Sequence, residues 1–217
     1  MLTVSEAWKE AYPGAAVGIV AMRNVVNPER HPALDQLKGE LEKQHQARFA
    51  DRGQLKVLKT IRAYNAYYKQ FKQNCHGQLQ LESVALKGKP IPRVAALVVA
   101  ELKNQLLTAG DDLDAVQPPV RLDVAKGDER CIRLNGQAVK PGDMFIADAQ
   151  GILSSILYGP DQRTQILPTT QSVLYPVYAP RDIEEQAVYE HLQDMEANIR
   201  LIAPHAETEQ LLVYGTG

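Results

Sequence analysis

Charge of one sign is missing from this sequence: 24 lysines and arginines stand against 26 aspartates and glutamates in 217 residues, for a formal charge of -2. That balance excludes a general nucleic-acid coat protein and leaves room for a local basic patch. Cysteine is scarce too. Cys75 and Cys131 are the two present, without metal-ligand spacing, and reduced thiols in a cytoplasm are the simplest reading. Long apolar runs are also lacking. The longest, around Val94 to Ala100, falls far short of the ~20 residues that a membrane-spanning helix requires, so no membrane association is expected. Acids occur early, with no apolar segment behind them, so no secretory leader is expected. No glycine-rich phosphate loop occurs; Gly88-Lys89-Pro90 lacks the flanking glycines and the Ser or Thr that the chemistry needs. His31, His45, His76, His191 and His205 show no ligand spacing, so surface or capping roles are expected of them. Neither a metal nor an organic cofactor is expected.

What is present reads as a folded chain. An apolar and aromatic fraction of 45% with mixed charge indicates a soluble globular protein, long enough for a buried core. "AAVGIVAMRNVV" (Ala15 to Val26) reads as a buried strand. "HPALDQLKGELEKQHQARF" places Leu34, Leu37 and Leu41 at helical spacing, and Gly53 is read as the break after it. "LKVLKTIRAYNAYYKQFKQ" puts Leu55, Leu58, Ile61 and Tyr68 on one helical stripe. "PIPRVAALVVAELKNQLL" is a third helix, entered through Pro90 and Pro92. Beyond Gly110 the texture changes to short strands: "VRLDVA", "CIRLNG" with its Asn135-Gly136 hairpin signal, "KPGDMFIAD", "GILSSILYG" and "SVLYPVYAP". A final amphipathic helix is expected from about Asp182 to Leu201, and a loose tail over 204–217. Helices mainly in the first half and short, mostly antiparallel strands in the second predict an α+β fold, with one domain over 1–217.

Three clusters invite a chemical reading, and each has a structural one beside it. "YNAYYKQFK" (Tyr64 to Lys72) interleaves aromatics with Lys69 and Lys72, a composition able to stack bases and hold phosphates. It equally describes an amphipathic helix with its aromatics in the core, which is the favoured reading. "AGDDLDA" (Ala109 to Ala115) sets three acids at a helix end, where carboxylates are unfavourable. They could hold a metal or a substrate amine, or form a solvated loop. "YGPDQRT" (Tyr158 to Thr164) packs an acid, a base and a hydroxyl into one turn between strand-like runs. A turn alone is made more simply with Asn-Gly. The bland account is a surface pair between Asp161 and Arg163.

The second half also carries a resemblance. "VRLDVAKGDE", "RLNG", "FIAD", "YGPD" and "TTQSVLY" follow one another in the order of corresponding motifs in the tRNA-editing domain of the bacterial phenylalanyl-tRNA synthetase beta subunit. "PIPRVAALVVAELKNQLLTAGDDLDA" resembles the segment just upstream in that family, so the match spans Lys89 to Pro180, while residues 1–88 look like those of free-standing relatives. The resemblance implies an α+β domain whose cleft hydrolyses mischarged tRNA in the parent enzyme. It makes Asp161 the candidate for the acid that meets the amino acid's polar end, Gly159 the point of close backbone approach, and Arg163 and Thr164 pocket wall or ribose contacts. Two departures stand out. A histidine of the family is replaced by Asp111 or Asp112, and paired asparagines by Pro92 and Arg93. Nothing resembles an ATP site, so a whole synthetase is excluded. The expected function is trans-acting hydrolysis of mischarged aminoacyl-tRNA in the cytoplasm, with tRNA as partner and no DNA. The alternative is a non-catalytic RNA- or amino-acid-binding module. The expected pocket lies between the Pro92–Leu107 helix and the Gly159–Thr164 turn, and RNA contacts are expected at Lys69, Lys72, Lys87 and Lys89.

Overall fold

The computed structural model describes residues 2–28, 30–91, 95–131 and 138–216. Arg93 and the Asn135-Gly136 hairpin signal lie outside the described residues.

In chain order the elements are β1 (Leu2–Val4), α1 (Glu6–Ala11), β2 (Ala16–Arg23), α2 (Pro32–Arg48), α3 (Arg52–Lys56), α4 (Lys59–Gln70), α5 (His76–Ala85), α6 (Ala95–Asn104), β3 (Asp111–Asp112), β4 (Val120–Val124), β5 (Met144–Ala147), β6 (Ile152–Ser155), β7 (Gly159–Pro160), β8 (Ser172–Ala179), α7 (Glu185–Ile202) and β9 (Glu207–Gly215). The fold is α+β, with five helices between β2 and β3 and most strands after them. The strands form two sheets, ordered β1-β4-β5-β6-β7 and β3-β8-β2-β9. Among the described residues, all strand pairings are antiparallel apart from β1 with β4.

The apolar pattern explains the layers. β2 is buried on both faces over seven of its residues, because β8 and β9 flank it and α7 covers it. Gly18 makes the α7 contact possible: a Cβ there would meet Val188 Cγ1 at 2.6 Å and Leu192 Cδ1 at 3.1 Å. One apolar core joins Trp8, β2, β8 and α7 to the tyrosines of α4. A second holds α2 to α6 together through Leu34, Leu41, Leu55, Ile61, Leu81 and Val99.

Four departures from the sequence reading have physical reasons. Gly53 breaks no helix; α2 already ends at Phe49, and Gly53 sits inside α3, which Asp51 caps by accepting the Gln54 N–H at 3.1 Å. The long helical stripe is two helices: Leu58 is extended and serves as the N-cap of α4. Residues 207–215 are not a loose tail but β9, which supplies the ladder partners that β2 needs on its far edge. α5 carries too few apolar residues on one face to announce itself, and is held by Leu81, Val84 and Ala85.

Candidate functional site

The turn around Gly159 comes earlier than the sequence suggests. β6 ends at Ser155, the chain reverses over Ile156 to Tyr158, and Gly159 and Pro160 already run back against Ser155 and Ser154. Gly159 has a φ of 71°, which a residue with a Cβ adopts only with strain. The tight return puts Asp161, Arg163 and Thr164 beside the loop that follows α6. There β3 pairs with Leu174 and Val173 of β8, and Asp111 bridges to Gln165.

Asp111 lies at the centre. It is fully buried, as is Thr164, whose hydroxyl donates to Asp111 Oδ1 at 2.7 Å, while the Asp112 N–H donates to the Thr164 carbonyl at 2.7 Å. The second oxygen, Asp111 Oδ2, has no hydrogen-bond partner among the described residues. Burial, with Asp161 and Asp148 adding like charge, pushes this carboxyl up to about 8, against the opposing pull of Thr164 and Arg163. At neutral pH it is therefore mostly protonated. Asp112 is spent on structure: it accepts from Asp114 N–H at 3.1 Å and from the Thr170 hydroxyl at 2.7 Å. Asp114 is exposed and pairs with Arg23 at 3.0 Å. α6 ends at Asn104, well short of these acids, so the unfavourable helix-end placement read from the sequence does not arise.

Asp161 is buried as well, and its Oδ1 accepts the Arg163 backbone N–H at 3.0 Å. The Arg163 guanidinium turns instead to Asp148, at 2.8 Å, with the Ala115 carbonyl at 3.3 Å. In place of the surface pair with Asp161 that the bland account offered, Arg163 pairs with a different acid. Asp148 also accepts the N–H groups of Gln117 at 2.8 Å, Gln150 at 2.9 Å and Gly151 at 3.1 Å. Desolvation works to raise its pKa, but these amides and Arg163 outweigh it and hold the carboxyl below the ordinary carboxylate range. Sequence reasoning missed Asp148. Its signal was the "DAQG" stretch, an acid at a strand end ahead of a glycine, which favours capture of the next N–H groups. It also missed Ser154 and Tyr178, whose hydroxyls meet at 2.8 Å in the core.

No family model matches the chain, and no curated protein does. Among solved structures, the chain is similar to an N-terminal fragment of the phenylalanyl-tRNA synthetase beta subunit from Pyrococcus horikoshii, with 12% identity and a TM-score of 0.48. The similarity covers 98% of this chain and 53% of that one, so the chain spans about half the length of the fragment it matches.

A second polar region lies on the helical half. A groove of about 1190 Å³ is lined by Arg52, Lys56, Lys59, Arg62, Ala63, Asn65, Ala66, Asn74, Gln78 and Asp182. None of Lys69, Lys72, Lys87 or Lys89 lines it, although all four are exposed. The aromatics of "YNAYYKQFK" take the structural role. Tyr64, Tyr67 and Tyr68 are buried, and their hydroxyls donate to the Tyr178 carbonyl at 2.5 Å, to Asp143 at 2.7 Å and to the Ile156 carbonyl at 2.6 Å. Two histidines are likewise internal, not at the surface or at caps. His45 meets the Leu102 carbonyl at 3.1 Å, and His191 sits between Thr108 and Asn104, where burial pushes it down to about 4. Neither cysteine forms a disulfide, and both are buried. Among the described residues no helix is long and apolar enough to cross a membrane, and no three His, Cys, Asp or Glu side chains converge as metal ligands would.

Proposed function

We propose that the chain is an RNA-associated domain of editing type, which hydrolyses the ester of mischarged aminoacyl-tRNA in trans. The observation that supports it is the unpartnered Oδ2 of buried Asp111, inside a cluster that gathers Asp111, Asp161, Arg163 and Thr164 from segments about fifty residues apart in the chain. The order of the sequence motifs supports the same reading. A neutral carboxyl in such surroundings gives up its proton when a cationic amine arrives, because the opposite charge lowers its pKa. The α-amine of an esterified amino acid is that kind of group. Asp111 has no exposed surface, so the amine reaches it only when a covering segment moves, and the Gly159–Thr164 turn is the segment hydrogen-bonded to it. With the amine held, water adds to the ester carbonyl carbon, the bond to the ribose oxygen breaks, and the neighbouring ribose hydroxyl is placed to relay the proton.

Burial favours a second reading: Asp111, Asp161 and Thr164 are enclosed as in a structural brace, which fits a non-catalytic RNA-binding module. The test is deacylation of a panel of correctly charged and mischarged tRNAs. We expect hydrolysis of a subset, and Asp111→Asn, which keeps the acceptor for Thr164 but cannot become an anion, should lower kcat/KM by about tenfold or more. Wild-type rates in the Asn variant overturn the role of Asp111. No hydrolysis of any member, with RNA binding retained, selects the second reading.

A further inference from the structure

We propose that the groove formed by α3, α4 and the start of α5 docks the phosphate backbone of an A-form RNA duplex; this rests on the RNA-associated reading above and names where the partner sits. Among the described residues, four cations line the groove, against one lining acid, Asp182. Arg52 is paired with Glu82 at 2.6 Å and Lys59 with Glu184 at 2.5 Å. Lys56 and Arg62 have no carboxylate within ion-pair distance among the described residues, and both side chains are exposed. These two are available to phosphates without breaking a protein contact. The N-terminus of α4 adds to the field, since Leu58 gives it no side-chain cap and Lys59, Arg62 and Ala63 of its first turns line the groove.

The kind of partner follows from what else lines the wall. Asn74 offers an exposed amide suited to ribose hydroxyls and phosphate oxygens, and exposed Ala66 leaves space for a backbone to approach closely, while Asn65 and Gln78 hold the wall in place, Asn65 donating to Gln78 at 2.7 Å and Gln78 to Glu82 at 2.5 Å. No aromatic side chain is among the lining residues, so the groove lacks the stacking platform that single-stranded nucleic acid uses. Its volume of about 1190 Å³ exceeds the ~300–1,000 Å³ of ordinary small-molecule pockets. Recognition here is by charge and shape, which is how duplex RNA is read.

The groove is also coupled to the candidate site. α4 presents Lys59 and Arg62 on one face, and on the other Tyr68 donates to the carbonyl of Ile156, where the chain leaves β6 for the Gly159 turn. Tyr64 on the same inner face donates to Tyr178 of β8. RNA held on α4 is thereby held against β8, the strand with which Asp111 pairs, and against the chain that enters the Gly159 turn.

Fluorescence anisotropy with a short hairpin RNA, its unpaired single strand and a DNA hairpin of the same sequence tests the proposal. We expect the RNA hairpin to bind best, with log K falling against log salt by about 0.9 for each of two to four neutralised phosphates. Lys56→Glu with Arg62→Glu should weaken binding by about tenfold or more and lower the slope by about two, whereas Lys43→Glu, outside the groove, should change it by less than about twofold. Circular dichroism confirms that the variants fold. Undiminished RNA binding by the double variant overturns the groove and leaves the proposed hydrolysis standing. Preference for the single strand or for the DNA hairpin overturns the duplex-RNA assignment. A wild-type chain that binds no RNA overturns the groove, and if it also hydrolyses nothing, the proposed function falls with it.

Discussion

The acid cluster and the basic groove handle charge in opposite ways. In the cluster, Asp111, Asp148, Asp161 and Thr164 are all buried, and most of their polar atoms are committed to backbone amides, to Arg163 or to one another. In the groove, Arg52, Lys56, Lys59 and Arg62 are exposed, and two of the four have no carboxylate partner among the described residues. A buried ion costs several kcal/mol to desolvate and needs compensation on every side, so each member of the cluster is tied to fold stability. An exposed cation is already hydrated and contributes little to the fold, so the groove residues are free to serve a partner. Stability measurements should therefore separate the two regions as sharply as binding measurements do.

The largest effect is expected at Asp148. Its side chain has no exposed surface, and it accepts from Arg163 and from three backbone amides. Asp148→Ala removes the acceptor for all of them and leaves a guanidinium that is only 19% exposed without its carboxylate. Breaking a buried pair on one side costs about 3–5 kcal/mol. Denaturant titration should show a loss of that order. A loss no larger than that of an exposed substitution would mean that the buried Asp148–Arg163 pair does not hold the cluster together.

A smaller effect, with a definite pH signature, is expected at Asp111. Its folded pKa of about 8 lies above the ordinary ~4 of an aspartate. Below about pH 4 both states hold the proton and the contribution to stability is complete. As pH rises towards 8 the unfolded chain has released a proton that the folded chain keeps, so stability falls, by up to about 1.4 kcal/mol per pH unit. Asp143, raised by burial to about 7, works in the same sense. His191 works in the other: lowered by burial to about 4, it removes stability as pH falls from its ordinary ~6.5 through 4. Asp111→Asn should flatten the decline, most clearly between pH 7 and 8, where Asp143 passes from about half to mostly deprotonated and its own contribution to the slope fades. Parallel stability curves for the variant and the wild-type chain from pH 5 to 8 would remove the buried carboxyl from the account.

Much of this contrast was legible in the sequence, and the parts that were not share a cause. The "YGPDQRT" turn announced itself because an acid, a base and a hydroxyl have no reason to crowd a simple turn. Asp111 stood out as one of the three acids crowded into "AGDDLDA". α2, α6 and α7 were readable from apolar spacing, since each buries a periodic face, and β2 and β8, buried on both faces, from their apolar runs. The partner of Arg163 was not readable, because Asp148 lies just past the end of β5, fifteen residues earlier, and the tight return at Gly159 brings the two together. The groove was invisible for a similar reason. Arg52 and Lys56 belong to α3 and Lys59 and Arg62 to α4, and the break at Leu58, which orients the two pairs, carries no Gly or Pro. Lys69 and Lys72 drew attention because they alternate with aromatics, yet those aromatics face the core. β9 failed to register because its residues are only partly buried and it owes its order to the edge of β2.

The smallest effect should come from the groove. Lys56→Gln and Arg62→Gln remove charges that make no ion pair among the described residues. Substitutions of that kind usually change stability by no more than about 0.5 kcal/mol. Neutralising the pair relieves some mutual repulsion, so any change should be a slight gain at low salt that disappears at high salt, where exposed charges are screened. Lys59→Ala is the informative contrast. Lys59 pairs with Glu184 across the groove wall, but both side chains are mostly exposed, at 63% and 74%. Its loss should therefore be slight, of the opposite sign to that of Lys56 and Arg62, and likewise abolished by salt. Chemical denaturation with urea, which leaves ionic strength free to vary, resolves both signs. A salt-independent loss at Lys56 or Arg62 would show that these cations are part of the fold, and the division between a structural acid cluster and a free basic groove would have to be redrawn.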